Sequence, residues 1–455
     1  MAHIAIIMTG LTGNLHASLE VASRLENEGH TITYLAVRDV KNKVENCGFN
    51  YVALPEIVYS LQLKDLNFPL KSSWFNRKIF SLKNKKTILK TSERLLNLNQ
   101  YKNILEKTAI DFAIIDQELH DLIFVLFALK TPFALSSSWF SNRMGSGLKL
   151  PPIRTDMIPR KGLVGNSLNI LFNWIKIKLK VKARILVNKL SFKDYRRQAL
   201  LNYAKTNGFP TKKIVASNLP DLFTYPHIQT LSMTMKEMDF KHKPYKNFKY
   251  YGPMVFESRD KNYSKDISKS LVEIFSNKLK ENKKLIFCSV STLVPGDITF
   301  LNKLIEAVRI KKEWLLIITL GDKIDKTTFK NLPDHVFLFN WVPQLEVLKN
   351  ADININHAGI NSINECIHYK VPMLIYSGKN FDQNGCAARV HYHGMGIMGD
   401  KDNDSPEQIS QKISRILNES QFQNKMNDFH KLYQKYRDKK ISDILPNSIN
   451  QKSKL

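Results

Sequence analysis

The chain has 455 residues, more than a single hydrophobic core usually serves, and 43% of them are apolar, an ordinary share for a globular protein of two domains. No apolar run is long enough to span a bilayer, and Cys47, Cys288, Cys366 and Cys386 lack metal-ligand spacing, so a transmembrane protein and a cysteine-built metal centre are set aside. The 68 Lys and Arg against 41 Asp and Glu give +27 at pH 7, a charge that asks for an anionic partner, and the cysteine usage fits a reduced cytoplasmic setting.

The first element is His3-Ile4-Ala5-Ile6-Ile7-Met8, too short and without the basic start of a signal sequence, and it reads as a buried strand. Thr9-Gly10-Leu11-Thr12-Gly13 then leads into a helix that runs to about Glu28 and is closed by Gly29. Thr31 to Leu35 is the second strand, and Phe112 to Ile115 and Phe133 to Leu135 continue the sheet around the apolar helix Asp121 to Leu129. Alternation of this sort implies a parallel sheet with right-handed crossovers. Tyr251-Gly252-Pro253-Met254 ends the unit, and the charged stretch Glu257 to Lys269 has the character of a linker. A second unit of the same kind starts at Leu285-Ile286-Phe287-Cys288 and continues through the helix Phe300 to Val308 and the strands Trp314 to Ile318 and Val336 to Phe339. The expected domains are therefore 1–253 and 254–421, each Rossmann-like.

The most informative segment lies in the second unit. Asp352-Ile353-Asn354-Ile355-Asn356 alternates as a strand, whereas Asn361 to Tyr369 has helical spacing of Ile363, Cys366 and Ile367. His357 and Gly359 thus fall in a strand-to-helix turn, where a glycine admits close backbone approach and the free N–H groups of the helix start suit an anion. Asn361 and Ser362 are N-cap types, and Glu365, four residues after Asn361, lies on the same face one turn deeper. Trp341 offers a stacking surface and Gln344 an amide. Asp382-Gln383 follows the strand Val371 to Tyr376 and returns to the same sheet edge, the edge at which open α/β sheets bind ligands.

Those four blocks, Trp341-Val342-Pro343-Gln344, His357 to Gly359, Asn361 to Glu365 and Asp382-Gln383, resemble in their order the donor-binding signature of the family-1, UDP-dependent glycosyltransferases, which have the GT-B fold of two Rossmann-like domains facing across a cleft. The resemblance implies that Trp341 stacks on the uracil, that His357, Asn361 and Ser362 contact the diphosphate, that Glu365 holds the ribose and that Asp382 and Gln383 hold the sugar hydroxyls. It implies a UDP-sugar as co-substrate, inversion at the anomeric carbon, no obligatory metal and no other cofactor. It also implies that a last helix, the amphipathic 422–445 region, returns to the first domain. Thr292, in Ser289-Val290-Ser291-Thr292, is a further candidate for the diphosphate, although Ser291 stands where the family usually has glycine.

The acceptor side departs from the family. Relatives end the first loop Gly-His-x-Asn-Pro, and that histidine removes the acceptor proton; here the aligned residues are Gly13-Asn14-Leu15-His16-Ala17, and the amide of Asn14 takes up no proton at working pH. The carboxylate that partners such a histidine is present as Asp116, at the end of the strand Phe112 to Ile115. Three readings stay open. His16 serves as base, which asks for a different loop because two residues on a helix rotate a side chain by roughly 200°. Alternatively Asp116 acts alone or through water while Asn14 orients the acceptor, with Glu118 and His120 as alternates. In the third reading the chain holds a nucleotide sugar without turning it over.

Positive charge concentrates between Arg143 and Arg197, where Lys176, Lys178, Lys180, Lys182 and Arg184 interleave with aliphatic and aromatic residues. Such an element suits an anionic membrane surface, with Phe172 and Trp174 at headgroup level, and Trp74 and Phe75 with Arg77 and Lys78 make a second stretch of the kind. Nucleic acid is the weaker partner, since no nucleic-acid motif accompanies the charge. The expectation is a cytoplasmic GT-B enzyme that moves a hexose, glucose first, from UDP to a hydroxyl of a small-molecule or lipid-like acceptor. The alternatives are a lipid-directed transferase at the inner membrane face and a non-catalytic nucleotide-sugar-binding protein.

Overall fold

The computed structural model describes residues 1–449 apart from 142, 145–149, 160–164, 217–222, 261–263, 290–296, 322–323 and 447–448. Two parallel sheets organise them. The first has seven strands in the spatial order Asn50–Ala53, Thr31–Ala36, His3–Met8, Phe112–Asp116, Phe133–Ser137, Thr230–Ser232, Phe248–Tyr250. The second has six, in the order Val336–Phe339, Trp314–Thr319, Lys284–Ser289, Ile353–Asn356, Met373–Ile375, Gly396–Met398. In each sheet the strand that comes first in the chain sits inside, paired on one side with its successor and on the other with a strand from beyond the crossover: Ile4 aligns with both Ile32 and Phe112, and Ile286 with both Leu316 and Ile353. That reversal of direction is a topological switch point, and the crevice it opens at the carboxyl ends of the strands is where such sheets bind ligands.

The two-layer logic follows from the residues. His3–Met8 is buried along all but its first residue, as expected of an inner parallel strand covered on both faces. The helix Thr12–Asn27 buries Leu15, Leu19, Ala22 and Leu25 at helical spacing against that sheet. In the second sheet the helix Ile298–Arg309 does the same with Leu301, Leu304, Ile305 and Val308. No disulfide joins the four cysteines, three of which are buried. No helix among the described residues is long and apolar enough to cross a membrane.

The chain ends by crossing between the sheets. The helix Ser420–Arg437 places Met426, Phe429 and Tyr433 in the core around the second sheet. From Tyr436 onward the chain lies on the first unit: Arg24 Nη1 donates to the Tyr436 carbonyl at 3.0 Å, and Glu28 accepts from the Ile441 and Ser442 amides at 2.9 Å each. Ile441, Ile444 and Leu445 then enter the first core. A second tie is a buried ion pair. Arg389, on the helix Gln383–Tyr392, donates through Nε and Nη2 to Asp239 Oδ1 at 2.8 and 2.6 Å, and its guanidinium lies between the rings of Phe140 and Phe240, 4.6 and 4.5 Å from their centroids. Both charged groups are nearly solvent-free, so the aromatic faces and the paired carboxylate replace the water that burial removed.

Candidate active site

The switch points of the two sheets face each other. The first turn of the helix Thr12–Asn27 meets the first turn of the helix Ile360–Tyr369 so closely that a Cβ on Gly13 would lie 2.9 Å from Asn361 Nδ2, a contact no larger residue at position 13 could make without displacing that amide. Two helix N-termini, each with unpaired N–H groups and a positive dipole end, therefore converge on one cleft. Ser289, which ends the first strand of the second sheet, and Asn361 both present buried oxygen atoms with no hydrogen-bond partner among the described residues: Ser289 Oγ and Asn361 Oδ1. Buried polar groups are rarely left so, and two at one switch point mark a place prepared for a polar ligand.

His357 follows the strand Ile353–Asn356 and is partly buried; loss of water lowers its imidazole to about 4, against a weaker pull upward from the Ser289 backbone, which favours the neutral ring. The turn is built differently from the sequence reading. Gly359 caps the helix with φ −66°, and its lack of a side chain makes room for the imidazole, since a Cβ there would lie 2.9 Å from His357 Nε2. The left-handed residue is Ala358, φ 68°, whose amide is held by Asn356 Oδ1 at 2.8 Å. Asn361 and Ser362 stand inside the first turn and are not the caps expected.

Around this turn lie the other donor-side residues. Trp341 is 48% exposed and presents its indole to solvent. Glu365 is buried, and both its oxygens are engaged: Arg259 Nη1 donates to Oε1 at 2.7 Å, and Gln344 Nε2 donates to Oε2. Arg259 comes from the stretch that reads as a linker, and nothing in its composition singles this arginine out. Asp382 is buried at the start of the helix Gln383–Tyr392, with Cys386 Sγ donating to Oδ2 at 3.4 Å; burial lifts its carboxyl to about 6. Gln383 turns its Oε1 back to accept from the Asn380 amide at 3.2 Å. Thr292 lies outside the described residues.

In the first unit the structure joins Asn14 and Asp116. Asn14 Nδ2 donates to Asp116 Oδ2 at 3.1 Å, while Ser138 Oγ donates to Asn14 Oδ1 at 2.9 Å. Thr9 Oγ1 donates to the same Asp116 oxygen at 3.4 Å, and the Glu118 amide to Oδ1 at 3.1 Å. Burial pushes the Asp116 carboxyl upward, and the hydrogen bonds from Glu118, Asn14 and Thr9 hold it down. Ser138 and Thr9 are additions to the sequence reading; the polar run Ser136-Ser137-Ser138 at a strand end was the available signal for the first. His16 points elsewhere. No hydrogen bond joins it to Asp116 among the described residues, and burial, then the charges of Arg259 and Lys43, hold its imidazole well below the ordinary range. His120 is part of the core, its Nδ1 2.9 Å from the Tyr225 hydroxyl and its ring edge-on to Phe223, and desolvation keeps it neutral. It is no alternate base.

The chain resembles known proteins in sequence and in fold. Residues 302–453 match the family model described as the erythromycin biosynthesis protein CIII-like C-terminal domain. The uncharacterized UDP-glucosyltransferase YdhE of Bacillus subtilis is 28% identical over 175 residues, 38% of this chain and 44% of that protein. The NDP-glycosyltransferase YjiC of the same organism is 23% identical over 207 residues, 45% of this chain and 49% of its own. The chain thus aligns with about half the length of these curated relatives. Over nearly the whole chain the fold matches solved structures: the glycotransferase of kitacinnamycin, with TM-score 0.67, 17% identity and 99% of each chain covered, and the glycosyltransferase VinC in complex with DTDP, with TM-score 0.58, 12% identity and 99% and 100% covered. With two Rossmann-like sheets and solved neighbours that match over nearly its whole length, the chain has the GT-B fold, and its C-terminal part is similar to bacterial UDP- and NDP-glycosyltransferases.

Proposed function

We propose that the chain transfers a hexose, glucose first, from a UDP-sugar to a hydroxyl of a small-molecule acceptor, with inversion and without a resident metal. The observation that carries this reading is the convergence of the two helix N-termini at Gly13 and Asn361 beside the unpartnered Ser289 and Asn361 oxygens. A diphosphate placed there meets preorganised donors, and the negative charge that grows on it as the glycosidic bond breaks is met without reorganisation. In the proposed reaction the acceptor oxygen attacks the anomeric carbon from the face opposite UDP, the new C–O bond forms as the sugar–phosphate bond breaks, and UDP departs with the bonding pair. The acceptor proton leaves toward the Asn14–Asp116–Ser138 cluster, by way of water, because Asn14 itself is no base. Trp341 stacks the base, Glu365 receives the ribose, and Asp382 and Gln383 receive the sugar. The name of the relative YdhE, a UDP-glucosyltransferase, supports uridine and glucose; the DTDP in VinC makes thymidine the competing nucleotide.

The test is thermal shift with UDP, dTDP and several UDP-sugars, followed by transfer to a panel of hydroxylated acceptors with and without EDTA. Preference for UDP-glucose with EDTA-resistant transfer supports the reading, and preference for dTDP rejects its nucleotide. Asn14 in the place of a base also supports a second reading, a nucleotide-sugar-binding protein. Tight UDP-glucose binding with neither transfer nor donor hydrolysis would select it.

A further inference from the structure

The helix Gly165–Leu190 has two apolar faces. One packs on the body of the protein: Ile170, Trp174 and Val181 are buried, and Trp174 Nε1 donates to the Leu150 carbonyl at 2.9 Å. The other is open. Leu168, Phe172, Ile175, Leu179, Leu186 and Leu190 are between 44% and 68% exposed. At about 100° per residue all six fall within roughly 40° of one line, which runs about 33 Å along the helix. Lys176, Lys182 and Lys189 border that line, Lys178 and Lys180 lie further round at roughly 90–110° from it, none of the five is ion-paired among the described residues, and the helix has no acidic residue. Single exposed leucines need no explanation, but a continuous row does.

The row continues onto a neighbour. Trp74 Nε1 donates to the Leu190 carbonyl at 2.9 Å, and on the helix Trp74–Lys83 the side chains of Phe75, Ile79 and Leu82 are exposed at helical spacing beside Lys78 and Lys83.

We propose that these two helices are a docking surface for an anionic lipid bilayer, with the apolar row in the headgroup–acyl boundary and the lysines at the level of the lipid phosphates. Charge chooses this occupant. A second copy of the chain on the same row would set lysines against lysines, whereas anionic lipid meets both the apolar line and its borders. The expectation that Trp174 reaches the lipid is corrected: it faces inward, and Phe172 with the leucines takes its place. The proposal stands independently of the donor-site reading.

Sedimentation of the full chain with vesicles tests it, using phosphatidylcholine alone or mixed with phosphatidylglycerol. The protein is expected to pellet with the mixed vesicles at low salt, at least about tenfold more than with phosphatidylcholine alone. Combined Phe172→Ser, Leu179→Ser and Leu186→Ser should abolish pelleting with Tm unchanged, because these side chains face solvent. Lys176→Gln, Lys178→Gln and Lys180→Gln together should remove the preference for phosphatidylglycerol. Protein left in the supernatant with mixed vesicles at low salt overturns the proposal, as does pelleting retained by the serine variant. A dimer in light scattering that the serine variant dissolves would assign the row to self-association instead.

Discussion

Asn14 donates to Asp116 at 3.1 Å and in the same amide plane accepts from Ser138 at 2.9 Å, so both ends of its side chain are fixed. At the position where the sequence resemblance implies a basic imidazole, this chain holds an amide that does not titrate. Asn14→Ala would leave Asp116 and the Ser138 hydroxyl each short of a partner, at about 1–2 kcal/mol of stability. Turnover should fall at least about tenfold while UDP affinity stays unchanged, since the cluster lies on the acceptor side. Transfer kinetics beside UDP calorimetry check this; an equal loss of UDP affinity would place Asn14 on the donor side.

Arg259 and Glu365 form a pair that only a close approach of the linker to the second unit allows. Removing one member of a buried pair costs about 3 kcal/mol, whereas replacing both with apolar residues is often neutral. Glu365→Ala should therefore lower Tm by several degrees, and Arg259→Met with Glu365→Met should recover most of the loss. Both variants should lose the distinction between UDP and 2′-deoxy-UDP, because neither offers the ribose a carboxylate. Thermal melts and nucleotide competition read the two effects separately.

Burial holds the Asp382 carboxyl at about 6, roughly two units above its value in an unfolded chain, which amounts to about 3 kcal/mol against folding at neutral pH. For an acid raised in this direction, the folded state is most favoured below the unfolded value near 4 and loses that advantage as pH rises through 6. Asp382→Asn, neutral throughout, should accordingly melt above the wild type at pH 7.5 and converge with it near pH 4. The same variant should bind UDP-glucose no better than UDP. Melting curves across pH and paired titrations supply the check, and a Tm gain independent of pH would contradict the assignment.

Trp341 makes no ion pair or hydrogen bond among the described residues and is half exposed, so its truncation carries little structural cost. Trp341→Ala should weaken UDP by about tenfold, the scale of one aromatic stack, and leave Tm within a degree in the absence of nucleotide. Trp341→Phe should restore much of the affinity. Isothermal titration measures it.

Much of the architecture was legible because inner parallel strands are written as short apolar runs and amphipathic helices as a period near four; both switch points follow from that alternation. The donor turn was legible because its residues are contiguous. What escaped depends on partners distant in the chain. Asp239 and Arg389 lie 150 residues apart, and Arg259 and Glu365 106, and no local pattern announces either pair. Trp174 shows another limit: a helix apolar on both sides gives no sign of which side faces in, and here packing against Leu150 decided it. At the donor turn the glycine was an obvious place to expect unusual backbone, yet Ala358 carries the positive φ and Gly359 supplies space.

The Arg389–Asp239 pair bears on how the cleft exchanges its contents. Arg389 reaches from the second unit into the first, six residues along the same helix from Gln383, which with Asp382 is proposed to hold the sugar. A hinge that pulled the two units apart at this helix would draw the guanidinium out from between two phenylalanines and leave Asp239 buried without its counter-charge. The pair therefore pins the helix Gln383–Tyr392 to the first unit, and the two units separate less readily there than at a place without such a tie.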